Sequence, residues 1–124
     1  MSYNFESELS TAFEKLLQTE KDYNVIIYVG NEPNFKEVHA HSNVLYCRSE
    51  YFNELLSTED IEREDGKYII KKPNLTPQAF DVILKYLYTG HFDFKNNVEM
   101  ELLNIMIASD EFNMIMNIKS LEAR

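Results

Sequence analysis

The stretch Val38–Phe52, VHAHSNVLYCRSEYF, restricts the possible folds more than any other part of the chain. Phe35 to Ala40 reads as a strand. It follows the apolar strand Val25–Val29 across a turn holding Gly30, Asn31, Pro33 and Asn34. The pattern then changes from strand to helix within two residues. Ser42 is placed to cap a short helix carrying Val44, Leu45 and Tyr46, and Ser49 to cap a second carrying Tyr51, Phe52, Leu55 and Leu56. A hairpin that delivers the chain into two back-to-back short helices requires a mixed α/β fold.

The flanking segments fit the same scheme. Phe5, Leu9, Ala12 and Leu16 share one helical stripe, flanked by Phe13 and Leu17, so residues 5–18 are expected to form an amphipathic helix. Val25–Val29, led in by Tyr23 and Asn24, is apolar without alternation, which predicts a strand covered on both faces. The run STEDIEREDGK, residues 57–67, repels itself and reads as a solvated loop. Tyr68–Lys71 is a third strand, stopped by Pro73, which lacks a ladder donor.

Thr76 followed by Pro77 marks a helix start, and Gly90 suits the left-handed residue that ends it. Between them Phe80, Ile83, Leu84, Leu87 and Tyr88 form one face that Val82 and Tyr86 widen, so this helix should be largely surrounded. His91–Phe94 reads as a short edge strand. Asn97 is expected to cap a further helix with Leu102, Leu103, Met106 and Ile107 inward, and a last helix should carry Ile115, Ile118 and Leu121.

Composition narrows the function. A length of 124 residues suits one domain. A lone Cys47 cannot pair within the chain, so a reducing compartment, cytoplasmic or nuclear, is expected. No apolar run approaches the roughly 18 residues of a membrane span, and MSYNFESEL lacks the basic, then apolar, start of a signal peptide. The net charge is −9, with 21 acidic against 12 basic residues, and only Lys71 and Lys72 stand adjacent among the basic ones. Phosphate binding needs clustered cations, so nucleic acid is not an expected partner.

Chemistry finds little support. His39, His41 and Cys47 raise the question of zinc, but a tetrahedral site needs a further converging ligand that is not evident; histidines hydrogen-bonded at a strand-to-helix corner are the preferred reading. Asp60, Glu62 and Glu64 imitate a calcium loop until the sixth and twelfth positions, which fall on Asp65 and Lys71 instead of Gly and Glu. No nucleophile elbow, phosphate loop or Ser, His, Asp set is present. Neither an enzyme nor a cofactor is expected. Protein contact remains, with Phe5, Phe13, Tyr51, Phe52, Phe92 and Phe94 as candidate anchors.

The order strand, turn, strand, HAHSNVL, RSEYF, acidic loop, strand, FDVILKYLYTG and two more helices resembles the BTB (POZ) domain from about Asp22 to Leu121. Its most specific parts are His39–Leu45, Ser49–Phe52 and Tyr86–Gly90. The resemblance implies a small, mainly three-stranded sheet beside a cluster of helical hairpins, with an amphipathic N-terminal helix. Residues 1–21 would supply the dimerisation helix and lead-in, and residues 22–124 the core.

It implies a non-catalytic adaptor, homodimeric through Phe5, Leu9, Ala12, Phe13 and Leu16, and linked to a cullin-based ubiquitin ligase or to another partner protein. A corepressor-recruiting scaffold and a monomeric ligase subunit are the alternatives. Dimeric members commonly carry an Asp and an Arg in a charged pocket where this chain has Asn24 and Ser42. The cullin-contacting motif, a hydrophobic residue followed two positions later by Glu, aligned from Phe52 falls on Leu56 and Thr58, with Glu59 one step late, so that the resemblance implies Tyr51, Phe52, Leu56, Thr58 and Glu59 as the possible contacts.

Overall fold

The computed structural model describes residues 2–92, 94, 97, 98, 100 and 101, with side chains in the first helix described from Glu6 onward. The elements are α1 (Ser2–Thr19), β1 (Val25–Asn31), β2 (Asn34–Ala40), α2 (Ser42–Arg48), α3 (Glu50–Leu56), β3 (Arg63–Glu64), β4 (Lys67–Lys72) and α4 (Pro77–Thr89). The sheet order is β2-β1-β4-β3. β1 pairs antiparallel with β2, Val25 opposite Ala40, and parallel with β4, Val25 opposite Tyr68. The parallel pair needs a crossover, and α2 and α3 lie on it.

Register decides which side chains go inside. Val25, Ile27 and Val29 have no exposed surface and pack with Leu45, Phe52, Phe80, Ile83 and Leu87 in the core. α4 is the hub: eight of its thirteen residues are buried. It packs against α1, α2 and the sheet. Its start follows the sequence closely, since Thr76 Oγ1 accepts from the Ala79 N–H at 3.2 Å and Pro77 occupies the first turn. Gly90 ends it at φ 80°, with its N–H donating to the Tyr86 carbonyl at 2.7 Å. Ser49 likewise caps α3, accepting from the Phe52 N–H at 3.2 Å. Gly30 closes the hairpin at φ 85°, where a Cβ would collide with the Asn34 carbonyl oxygen.

Five expectations need correction. β1 is not covered on both faces: Ile26 and Tyr28, between the buried residues, are half-exposed on the outer side of the sheet. The continuous apolar run therefore signals a second, partly open apolar surface. The acidic run is not all loop. Arg63 and Glu64 form a two-residue strand on the edge of β4, giving a fourth strand beyond the three expected, and Ile61 packs against the core.

Ser42 does not cap α2. The N-cap position belongs to His41, whose side chain makes no cap bond, and the Ser42 N–H is taken instead by the Asn24 side chain. His91, Phe92 and Phe94 are not in a strand; Phe92 stacks on Tyr86 and Phe94. Asn97 is already helical and so is not the cap. The inward positions Leu102, Leu103, Met106, Ile107, Ile115, Ile118 and Leu121 lie outside the described residues.

Two kinds of substitution should separate caps from core. Thr76→Ala removes one cap bond and is expected to cost about 1 kcal/mol. Phe52→Ala empties a fully buried site and is expected to cost about 3–5 kcal/mol. Urea unfolding followed by circular dichroism measures both, and equal costs would contradict this division.

Candidate functional site

The apolar stripe of α1 divides along its length. Leu16 and Leu17, near its C-terminus, are partly buried and pack on the core. Ala12 is exposed, and Leu9 and Phe13 keep 43% and 38% of their surface in solvent. Of the expected contact residues, Leu9, Ala12 and Phe13 thus share an open apolar face, Leu16 works mainly in the fold, and the Phe5 side chain lies outside the described residues. Phe13 also forms one wall of a cavity of about 210 Å³, with Val44, Leu87 and Tyr88 behind it.

The strand-to-helix corner is built from neutral and charged hydrogen bonds. Asn24 and Ser42 hold each other: the Asn24 Nδ2 donates to Ser42 Oγ at 2.8 Å, and the Ser42 N–H donates to Asn24 Oδ1 at 2.8 Å. Two reciprocal hydrogen bonds between polar, uncharged side chains thus close this part of the corner. No ion is left unpaired there.

His39 and His41 go separate ways. The His41 Nε2 lies 2.7 Å from the Lys21 carbonyl, which can only accept, so Nε2 carries the proton. Nδ1 then accepts from the Tyr88 hydroxyl at 2.7 Å, while that hydroxyl oxygen accepts from the His41 N–H at 2.8 Å. Burial pushes the Tyr88 phenol well up, only partly offset by the His41 N–H, so the hydroxyl keeps the proton it donates.

His39 lies at the other side of the corner between two carboxylates, Nδ1 at 2.7 Å from Glu20 and Nε2 at 2.6 Å from Glu37. Carboxylates accept, so both ring nitrogens carry protons in this arrangement. Tyr23 stacks on the ring with centroids 4.0 Å apart. Burial alone would pull the His39 pKa down, but the hydrogen bonds and charges of Glu37 and Glu20 outweigh it and the net shift is upward. Glu20 ends α1 with φ 57°, a left-handed conformation that costs a non-glycine residue about 1–2 kcal/mol. Its bond to His39 anchors that turn to β2.

These partners show what sequence reasoning missed. Glu37 and His39, two apart on one strand, share a face and were legible as a pair. Glu20, Tyr23 and Tyr88 reach the histidines through the tertiary fold and left no local signal. Among the described residues, no group of three or more His, Cys, Asp or Glu side chains is arranged to hold a metal ion.

The third expected surface follows α3. Phe52 has no exposed surface and Leu56 only 9%, so both serve the core. Tyr51 is half-buried beneath the Lys72 ammonium, 4.6 Å from its ring. Thr58 and Glu59 are exposed just beyond the helix end, where Thr58 Oγ1 donates to the Glu54 carbonyl at 3.1 Å. Of these five expected contact residues, solvent therefore meets mainly Thr58 and Glu59.

Comparison with known proteins decides the family, for the BTB/POZ domain model matches residues 13–123. The chain belongs to the BTB/POZ family. It is 29% identical to Kelch-like protein 41a of Danio rerio over 90 residues, 72% of this chain and 14% of that protein. It is 30% identical to human Kelch-like protein 11 over 84 residues, 64% of this chain and 11% of that protein. The chain therefore spans a small part of the length of these curated relatives. In structure it is similar to the BTB domain of zebrafish PATZ1, with TM-score 0.66 and 18% identity, covering 100% of this chain and 96% of that one. BTB domains are generally protein-interaction modules rather than enzymes, and this chain is such a module by family.

The His39 clamp makes stability depend on pH in a stated direction. Its pKa is raised on folding, so its contribution is fully present below the unfolded value of about 6.5 and is lost as pH rises through the folded value. Wild type should exceed His39→Gln in stability by more at pH 6 than at pH 8.5, as measured by thermal melts. A constant difference, or an NMR titration of His39 below its ordinary value, would contradict the clamp.

Proposed function

We propose that this domain is a homodimerising adaptor whose contact surface is the outward face of α1, and that it links a partner protein to a cullin scaffold. The observation that carries the dimer is the exposure of Leu9 and Phe13 on a helix whose far end is packed on the core. A helix held rigidly by Leu16 and Leu17 presents those two side chains without large ordering cost. The cavity beside Phe13 offers a recess to a side chain from a second copy. Contiguous apolar surface of this kind marks contact sites.

The cullin link follows from the family resemblance and from the surface beyond α3. With Phe52 and Leu56 inside, recognition would fall on Thr58 and Glu59, and Thr58 stands where the motif carries a glutamate. The corepressor reading has less support, because the Asn24–Ser42 pair is neutral and internally bonded.

Two measurements test the reading. The double variant Leu9→Asp with Phe13→Asp should sediment as a folded monomer where the wild type sediments as a dimer; a monomeric wild type at tens of micromolar would overturn the dimer. The intact chain should co-purify with a cullin N-terminal domain, and Thr58→Glu should strengthen that binding by roughly tenfold, the effect of one restored charged contact of about 1.4 kcal/mol. Leu56→Asp is unsuitable, since it would bury a charge in the core. Absence of binding by both the wild type and Thr58→Glu would retire the cullin link.

A further inference from the structure

We infer that the outer face of the sheet, at the edge formed by β3 and β4, is a docking groove for an extended, positively charged segment of a partner protein. This surface is separate from the α1 face and adjoins the end of α3, where Thr58 and Asp60 line a neighbouring cavity with Glu62, Ile69 and Lys71. Its floor is Ile69, which is only 5% exposed yet does not belong to the main core cluster. Ile69 is paired in register with Ile26, half-exposed on the same outer side. One wall is Tyr28 stacked on Phe35, centroids 5.9 Å apart, and Phe35 keeps 46% of its surface in solvent. The other wall is formed by Glu62, Glu64 and Lys71, and the space between is about 460 Å³.

Charge selects the occupant. Lys71 already lies 3.6 Å from the Glu62 carboxylate. The neighbouring cations are also engaged, Arg63 over the Tyr68 ring and Lys67 over the Tyr23 ring. Glu64 stands opposite Lys67 in the strand register and makes no ion pair with it or with any other cation among the described residues. The groove thus joins aromatic faces to a carboxylate held in no ion pair, in a chain of net charge −9. An arginine or lysine side chain can lay its methylene stem on Ile69 and its cation against both.

Backbone geometry favours an extended occupant. β3 pairs only with Lys67 and Tyr68, so the edge of β4 beyond them lacks a strand partner. The Ile69 N–H donates outward on this edge to the Glu62 carbonyl. By strand alternation the Lys71 N–H and carbonyl point the same way, with no described strand opposite. A strand added there would gain ladder bonds while its alternate side chains entered the groove.

The test uses the full chain and a fluorescein-labelled, capped octapeptide of alternating arginine and valine, with a glutamate-for-arginine version as control. Anisotropy should show saturable binding of the basic peptide only, weakened by salt, with amide shifts centred on Tyr28, Phe35, Glu64, Ile69 and Lys71. Phe35→Ala combined with Glu64→Lys should weaken binding at least about tenfold and leave the circular dichroism spectrum unchanged, whereas Leu9→Asp with Phe13→Asp should leave peptide binding intact. No saturation at millimolar peptide, shifts centred elsewhere, or unchanged affinity in the Phe35→Ala, Glu64→Lys variant would overturn the proposal. So would a change of oligomeric state in that variant, which would make the groove a contact between copies.

Discussion

The corner at His41 depends on one buried hydroxyl. Tyr88, on α4, gives its proton to the His41 ring and accepts the His41 backbone N–H, while the other ring nitrogen reaches the Lys21 carbonyl. Four elements meet through those three bonds: the end of α1 with its connector, the end of β2, the start of α2, and α4. Buried polar groups stabilise only when all their partners are present, and here none is left over, since every buried side-chain polar atom among the described residues has a partner. The corner fixes where α1 lies against α4. It thereby fixes which part of the α1 stripe is covered and which part is left for contact.

Beside this corner, Asn24, which leads into β1, and Ser42, which opens α2, are joined by neutral groups. An Asp and an Arg in contact hold each other by charge, but each alone would be a costly buried ion. Asn24 and Ser42 hold each other with two neutral bonds, one of which also satisfies the first N–H of α2. On the outer side, His39 carries its charge between two carboxylates, Glu20 and Glu37.

What was legible in the sequence was local. Ser49, Thr76 with Pro77, and Gly90 mark helix ends because each acts within four residues of itself, and the structure repeats those marks. Ser42 looked like a cap by the same rule and is not one, because a side chain 18 positions earlier in the chain arrives first. The stripe of α1 was readable as a period, but its division into a packed end and an open end was not. That division depends on where α4 stops covering it, a property of packing.

The misreading of β1 has the most to say about function. An unbroken apolar strand is ordinarily explained by burial on both faces, and that explanation hides the alternative that one face is apolar for another reason. Ile26 and Tyr28 point outward with Ile69 and Phe35, and the side away from the main core still buries Ile69 almost completely. This second apolar layer lies apart from the main core cluster. Beside it run Glu62, paired with Lys71, and Glu64, which makes no ion pair among the described residues. A surface with apolar floor, aromatic wall and residual negative charge is what a basic segment would complete, and the pattern that looked like a fold signal in β1 is then half a fold signal and half a binding one.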